Sequence, residues 1–220
     1  SPVAGGGVSR SVTTGLLLRG TVPLQLRRSA SAAAIRPITS TAAGSGGALL
    51  SDLGRHWLGG LLAHAASSCL LTTPTVNGYK RYRPNSVAPD RVAWSRQHGG
   101  AMVRLIGGGP DPATHLENRI ADPAANPYLA IASQLVAGLD GLHRSLEPPP
   151  ITASPYHRDA GPLLPRSLGA AMDAFEAAAL YRRVWGEELV AYLLTIKRSE
   201  WSRFLTAVTD WEQREYGSLF

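Results

Sequence analysis

Thr114-His-Leu-Glu-Asn-Arg-Ile120, running on into Asp122-Pro-Ala-Ala-Asn-Pro-Tyr-Leu129, is the stretch from which the fold is read. In an extended strand alternate side chains share a face. His115, Glu117 and Arg119 then point one way, and Leu116, Asn118 and Ile120 the other. A carboxylate beside a guanidinium on one strand face can hold a divalent cation and an anionic substrate together. The commoner fate of such a pair is a surface ion pair of little energetic consequence. The residues after the strand weigh against that fate. Asn126 is a good helix N-cap and Pro127 fits the first helical position, where its missing N–H costs nothing. Tyr128, Ile131, Ala132, Leu135, Leu139 and Leu142 recur at helical spacing and predict a buried stripe. A charged strand that runs straight into an anchored helix has its end fixed in space, as a binding site requires.

Upstream, Arg91–Ser95 and Ala101–Ile106 read as strands. Gly107-Gly-Gly-Pro110 joins the second of them to the Glu117 strand. This glycine run lacks the Lys-Ser/Thr of a phosphate loop and no helix follows it, so it reads as a flexible hairpin connection. Ser51 caps a predicted helix through Leu53, Trp57, Leu61 and Leu62 to about Ala66. His56 and His64 on it lie eight residues apart, too far along the axis for one ion at ~1.5 Å per residue, so structural use is the better reading. Asn77-Gly78 marks a turn, and Arg81 to Ala88 a loop broken by prolines. Glu147 to Pro165 is a long irregular connection. Three closing helices are predicted: one carrying Leu168, Ala171, Met172 and Phe175, one over Glu187–Lys197, and one presenting Trp201, Phe204, Leu205 and Val208.

A chain of 220 residues makes one domain or slightly more. No run of 18 apolar residues occurs, so no transmembrane helix is expected. The single cysteine, Cys69, lies in an apolar run; it reads as core packing and suits a reducing, cytoplasmic setting. The net charge of +6 would fit a nucleic-acid binder, but five of the 22 basic residues fall in residues 1–47, which hold no acid. The remaining 17 basic and 16 acidic residues leave the rest nearly neutral, with no basic stripe interleaved with aromatics. Residues 1–47 are rich in Ser, Ala, Gly, Thr and Arg, with only the short runs Leu16–Leu18 and Val22–Leu26 hinting at order. A disordered tail, an organelle transit peptide and a wrong reading frame all fit that composition, and the frame error is the modest preference. Residues 48–220 form the folded unit.

The segment His115-Leu-Glu-Asn-Arg-Ile-Ala-Asp-Pro-Ala-Ala-Asn-Pro-Tyr-Leu129, with Ala137-Gly-Leu-Asp-Gly141 after it, closely resembles the glutamine synthetase family. Pro74-Thr-Val-Asn-Gly-Tyr-Lys-Arg81 is similar to that family's substrate loop, and Leu164-Pro-Arg-Ser-Leu168 and Val208-Thr-Asp-Trp-Glu212 to its C-terminal helices. The resemblance covers roughly residues 48 to 220 and is to the C-terminal part of the catalytic domain. It implies an α+β fold: an antiparallel sheet with flanking helices, part of the family's larger catalytic barrel. It also implies an ATP-dependent ligase that phosphorylates the side-chain carboxylate of L-glutamate and displaces the phosphate with ammonia or an amine, using Mg or Mn. Such chemistry is mostly positioning and charge neutralisation.

Carried over motif by motif, Glu117 would ligate the metal on the phosphoryl side. Arg119 would hold glutamate and the migrating group. Arg81 would grip the substrate carboxylate through a fork that Lys cannot imitate, and Arg104 would contact the nucleotide phosphates. Tyr79 and His115 would lie along the nucleotide. The family's stacked rings, with sites between subunits, imply a homo-oligomer.

Three departures stand out. His98-Gly99 occupies the place of an Asn-Arg pair, which predicts a rate loss on the order of 10²-fold or more. His115 replaces an arginine on the adenine side. Val87 replaces a flap glutamate, which suits an amine larger than ammonium. The resemblance therefore leaves open an incomplete and weakly active ligase, a γ-glutamyl-amine ligase, a non-catalytic subunit, or a decayed gene product.

Overall fold

The structure is a computed structural model that describes residues 24–29, 32–37, 48–83, 86, 88–111 and 113–217. The sheet at its centre is small. Strand β3 (Trp94–Arg96) pairs with β4 (Val103–Ile106), and β4 with β5 (His115–Asn118). β4 and β5 run antiparallel, with Arg104 opposite Glu117 and Ile106 opposite His115. β3 and β4 run parallel, so the sheet is mixed where an all-antiparallel one was expected. Parallel neighbours ordinarily need a long crossover. Here Gln97, at φ 58°, and the turn His98–Ala101 fold the chain back within a few residues, and Val103 re-enters by donating its N–H to Ala93. Two further strands, β1 (Leu24–Ser29) and β2 (Ala32–Pro37), pair antiparallel, and β2 lies beside β5. Of these only the start of β1 overlaps a run singled out in the sequence. The remaining expectations for residues 1–47 lie outside the described residues.

Ser51 caps helix α1 (Asp52–Ala63) by accepting from the Gly54 N–H at 3.1 Å. The helix predicted to run on to Ala66 breaks at His64, and α2 (Ala65–Thr72) follows. Cys69 on α2 is fully buried, and burial pushes its thiol up to about 12, so it stays protonated and packs as core. A 3-10 helix, Val76–Arg81, occupies the Asn77-Gly78 turn, capped by the Thr75 hydroxyl.

Helix α3 (Pro127–His143) starts as read, with the Asn126 side chain accepting from the N–H groups of Tyr128 and Leu129. Its buried face matches the predicted apolar stripe only in part: Leu135 and Leu142 pack partly buried against the core. Tyr128 is 82% exposed and Leu139 43%, whereas Ala130, Ser133, Ala137, Gly138 and Gly141 are buried. The reason is the closeness of α1: only small side chains fit between the two backbones.

Helix α4 (Leu168–Ala177) buries Leu168, Ala171, Met172 and Phe175, as predicted. After α5 (Ala179–Trp185), the two predicted C-terminal helices are one, α6 (Glu187–Leu205). Lys197-Arg-Ser-Glu-Trp201 holds no glycine or proline to interrupt it. The short α7 (Asp210–Tyr216) has a capping box between Thr209 and Glu212. Among the described residues no helix is long and apolar enough to cross a membrane.

Both candidate histidines are structural. His56 meets Glu147 at 3.1 Å and His64 meets Asp140 at 2.7 Å. Asp140, 6% exposed, also receives Arg144 at 3.0 Å and Arg183 at 2.8 Å, so one carboxylate ties α3 to the α1–α2 junction and to α5. Burial alone would raise its pKa; the hydrogen bonds from His64 and Arg144 outweigh that and hold it below the usual aspartate value. A carboxyl depressed in the folded state contributes stability that is whole above its unfolded pKa, about 4, and lost as pH falls through the folded value. Asp140→Asn should therefore lower Tm at pH 7 by at least about 5 °C. Melts recorded from pH 7 down to pH 3 should show the two proteins converging in acid.

Candidate active site

The register of β4 and β5 builds the site. Residues directly opposite in an antiparallel pair present their side chains on the same face. Arg104 and Glu117 are such a pair. The other face carries Val103, Leu105, Leu116 and Asn118, each nearly or fully buried, and packs on the core. Asn118 is held there by Gln134 of α3.

On the charged face the Arg104 Nε donates to Glu117 Oε2 at 2.7 Å, and Nη2 lies 2.5 Å from the same oxygen. Arg119 reaches Oε1 of the same carboxylate at 3.3 Å. Glu117 and Arg119 thus share a face, as the alternation predicted. The Arg104 side chain keeps 28% of its surface exposed and Arg119 13%.

Arg81 arrives from the end of the 3-10 helix. Its guanidinium donates to the Ile120 carbonyl, just beyond Arg119, and stacks 4.9 Å from the Tyr82 ring. That carbonyl also accepts from the Tyr82 hydroxyl at 2.7 Å and from Thr73 at 2.9 Å. Asp122 Oδ2 lies 4.0 Å from the Arg81 Nε, which has no hydrogen-bond partner. Thr73, Tyr82 and Asp122 were not singled out in the sequence. Thr73 and Tyr82 fix a backbone oxygen, and no side-chain motif announces that.

Tyr79 and His115, both expected along the nucleotide, lie buried. Tyr79, read as a nucleotide contact, is 3% exposed and donates its hydroxyl to the Cys69 carbonyl at 3.1 Å. Burial pushes its phenol far above the usual range, so it remains a protonated core residue. Its place in Tyr79-Lys-Arg81 suggested a ligand, but the 3-10 helix turns it inward. His115 is buried too, and its Nδ1 lies 2.5 Å from the Ala113 carbonyl.

The fit to ligands divides. Arg104, Arg119 and Arg81, with its orphaned Nε, suit the phosphate and carboxylate oxygens of an anionic substrate. A divalent cation needs several oxygen or nitrogen donors. Among the described residues no group of three His, Cys, Asp or Glu could hold a metal, and Glu117 is already engaged by two guanidinium groups. The residues present do not by themselves make a metal site. Arg96 donates its Nε to the Gly107 carbonyl at 3.0 Å. Val87 lies outside the described residues.

A family model described as "Glutamine synthetase, catalytic domain" matches residues 35–216. The chain belongs to the glutamine synthetase family. It is 46% identical over 187 residues to the gamma-glutamylanilide synthase of an Acinetobacter species, covering 80% of this chain and 37% of that protein. It is 37% identical to a gamma-glutamylethanolamide synthetase of Streptomyces coelicolor, covering 75% of this chain and 35% of that one. With the glutamine synthetase of Methanocaldococcus jannaschii it shares 35% identity, over 76% of this chain and 38% of that one. The solved structure of a GmaS/ADP complex superposes with a TM-score of 0.70 at 32% identity, covering 79% of this glutamine synthetase family member and 41% of the solved chain. The chain thus spans about two fifths of the length of its relatives.

Proposed function

We propose that this chain forms the phosphoryl- and glutamate-binding part of an ATP-dependent ligase that joins the side-chain carboxyl of L-glutamate to an organic amine. One observation carries the reading: Arg104 and Arg119 converge on Glu117 on one face of β4 and β5, with Arg81 anchored where β5 ends. The γ-phosphoryl group of ATP passes to the glutamate side chain and ADP leaves. The amine nitrogen then attacks the acyl carbon, phosphate departs, and the nitrogen sheds a proton.

In this reading Arg119 holds the glutamate and the migrating phosphoryl group, Arg81 grips the substrate carboxylate, and Arg104 contacts the nucleotide phosphates. Exchanging one carboxylate partner for anionic oxygens in the same place keeps each guanidinium paired. Bound Mg or Mn would neutralise phosphate charge, with Glu117 as one donor. The strands form part of the family's larger barrel, and the chain works as a homo-oligomer.

An organic amine is favoured over ammonia by Val87. Without a flap carboxylate, ammonium has no counter-charge at that position. Two relatives whose names specify γ-glutamyl amides of anilide and ethanolamide type point the same way. With Gly99 in place of the arginine, turnover is slow. The test is product analysis by mass spectrometry after incubation with ATP, Mg, L-glutamate and, separately, ammonia, ethanolamine, ethylamine or aniline. A γ-glutamyl amide formed faster from an organic amine than from ammonia supports the proposal. Absence of any amide with every acceptor contradicts it.

A further inference from the structure

Ile120 follows Arg119 just past the end of β5, and three donors converge on its carbonyl. Thr73 Oγ1 stands 2.9 Å from that oxygen and the Tyr82 hydroxyl 2.7 Å, and the Arg81 guanidinium donates to it as well. The two hydroxyls are also 2.6 Å from each other. Thr73, Tyr82 and Ile120 are all buried, so the carbonyl depends on protein donors.

Lone pairs and protons limit how these groups share the site. A carbonyl oxygen has two lone pairs, and each hydroxyl has one proton to give. Three short oxygen–oxygen contacts therefore share two protons. Burial pushes the Tyr82 phenol above its usual range, so it keeps its proton. With Arg81 on the carbonyl, the guanidinium takes one lone pair and one hydroxyl the other, while the second hydroxyl donates to the first. With Arg81 gone, both hydroxyls can turn onto the carbonyl and fill it. The oxygens stay in place and only the hydroxyl protons rotate.

Arg81 is also held less firmly than its neighbours. Arg104 and Arg119 are ion-paired with Glu117. Arg81 rests on a neutral carbonyl and against the Tyr82 ring. Its Nε has no hydrogen-bond partner, and the Asp122 carboxylate stands 4.0 Å from it. A quarter of the side chain is exposed, so an anion can reach it. A carboxylate binds a guanidinium more strongly than a carbonyl does and can draw it away.

We propose that the Thr73 and Tyr82 hydroxyls are positioning groups that make Arg81 a movable arm: they take over the Ile120 carbonyl when a substrate carboxylate draws the guanidinium off. That this carboxylate belongs to L-glutamate rests on the ligase reading above; the exchange of donors rests on the geometry alone. Without the hydroxyls Arg81 could leave only by stranding a buried acceptor, and substrate binding would be weakened by that penalty.

Thr73→Val and Tyr82→Phe remove the two protons and keep the shapes, the second also keeping the ring beside Arg81. Thermal melts of the full chain read the exchange without substrate. Arg81→Ala and the Thr73→Val/Tyr82→Phe pair each leave the carbonyl with a donor. The triple variant strips it, and its Tm should fall at least about 3 °C further than the two losses added together. In steady-state kinetics the Thr73→Val/Tyr82→Phe pair should raise KM for L-glutamate about tenfold, with KM for ATP and kcat within about twofold of the wild type. Thr73→Ser, which restores the hydroxyl, should match the wild type. A triple-variant loss equal to the sum of the other two, or an unchanged glutamate KM in the pair, would overturn the proposal. A wild-type chain that forms no amide would sink the ligase reading alone, and the melts would still decide the exchange of donors.

Discussion

Replacing Glu117 with alanine should cost both function and stability. The carboxylate is 8% exposed and is shared by Arg104 and Arg119. Its removal leaves two guanidinium groups facing each other across neighbouring strands with no counter-charge. Breaking a buried pair by deleting one partner costs about 3 kcal/mol, equivalent to a Tm loss of roughly 6 °C or more in a chain of this size. The arginines would swing apart, and the anion-binding geometry would go with them. Amide formation should fall by at least about 10³-fold, as when a preorganised charge group is removed. Glu117→Gln separates the two effects. It keeps the shape and accepts hydrogen bonds at one oxygen, so Tm should largely recover while activity stays low. Thermal melts and product assays on both variants check this. A Glu117→Gln protein with wild-type activity would assign the residue to structure alone.

The second large effect concerns the floor on which the sheet is held. Helices α1 and α3 approach so closely that a Cβ on Gly60 would lie 2.1 Å from the Ala137 carbonyl oxygen. On the opposite side, a Cβ on Gly141 would lie 2.2 Å from the carbonyl oxygen of His56. These neighbours are backbone atoms, which cannot turn aside as a side chain can. Gly60→Val must push the helices apart, prise Trp57 from Gly138, and open the core around Leu61 and Leu62. Overpacking alone costs about 1–3 kcal/mol, and the cavities opened by separation add more. The expected result is a Tm at least about 8 °C lower, with residual protein that is poorly soluble. Gly54→Ala on the same helix is the control, because the added Cβ meets only ordinary contacts at 3.4 Å or beyond. Its Tm should match or exceed that of the wild type.

The contrast between these two sites shows where sequence reading succeeds. Glu117 and Arg119 share a face as expected because strand alternation is a strict rule. The cap at Ser51 and the buried face of α4 come from equally local chemistry. The α1–α3 contact was misread for a physical reason. Leucines at helical spacing mark a buried stripe of α3, and Leu135 and Leu142 do pack on the core, but the closest helix contact is made by glycine and alanine, which carry little hydrophobic signal. The parallel β3–β4 pairing depends on a left-handed Gln97, and nothing in Trp94-Ser-Arg-Gln announces it. Tyr79 was assigned outward by its neighbour Arg81, and only the 3-10 helix shows that the two point to different sides. The Ile120 carbonyl, where Arg81, Tyr82 and Thr73 converge, is backbone and invisible to any motif.

The central claim is that the arginines around Glu117 receive the phosphates of a nucleotide. Calorimetric titration of ATP with Mg into the full chain, in parallel with an Arg104→Ala/Arg119→Ala variant, tests it most directly. The wild type should give saturable heat, and the variant an affinity at least about a hundredfold weaker, two charge-assisted contacts being lost. Superimposable isotherms, or no heat from the wild type at any concentration, would contradict it.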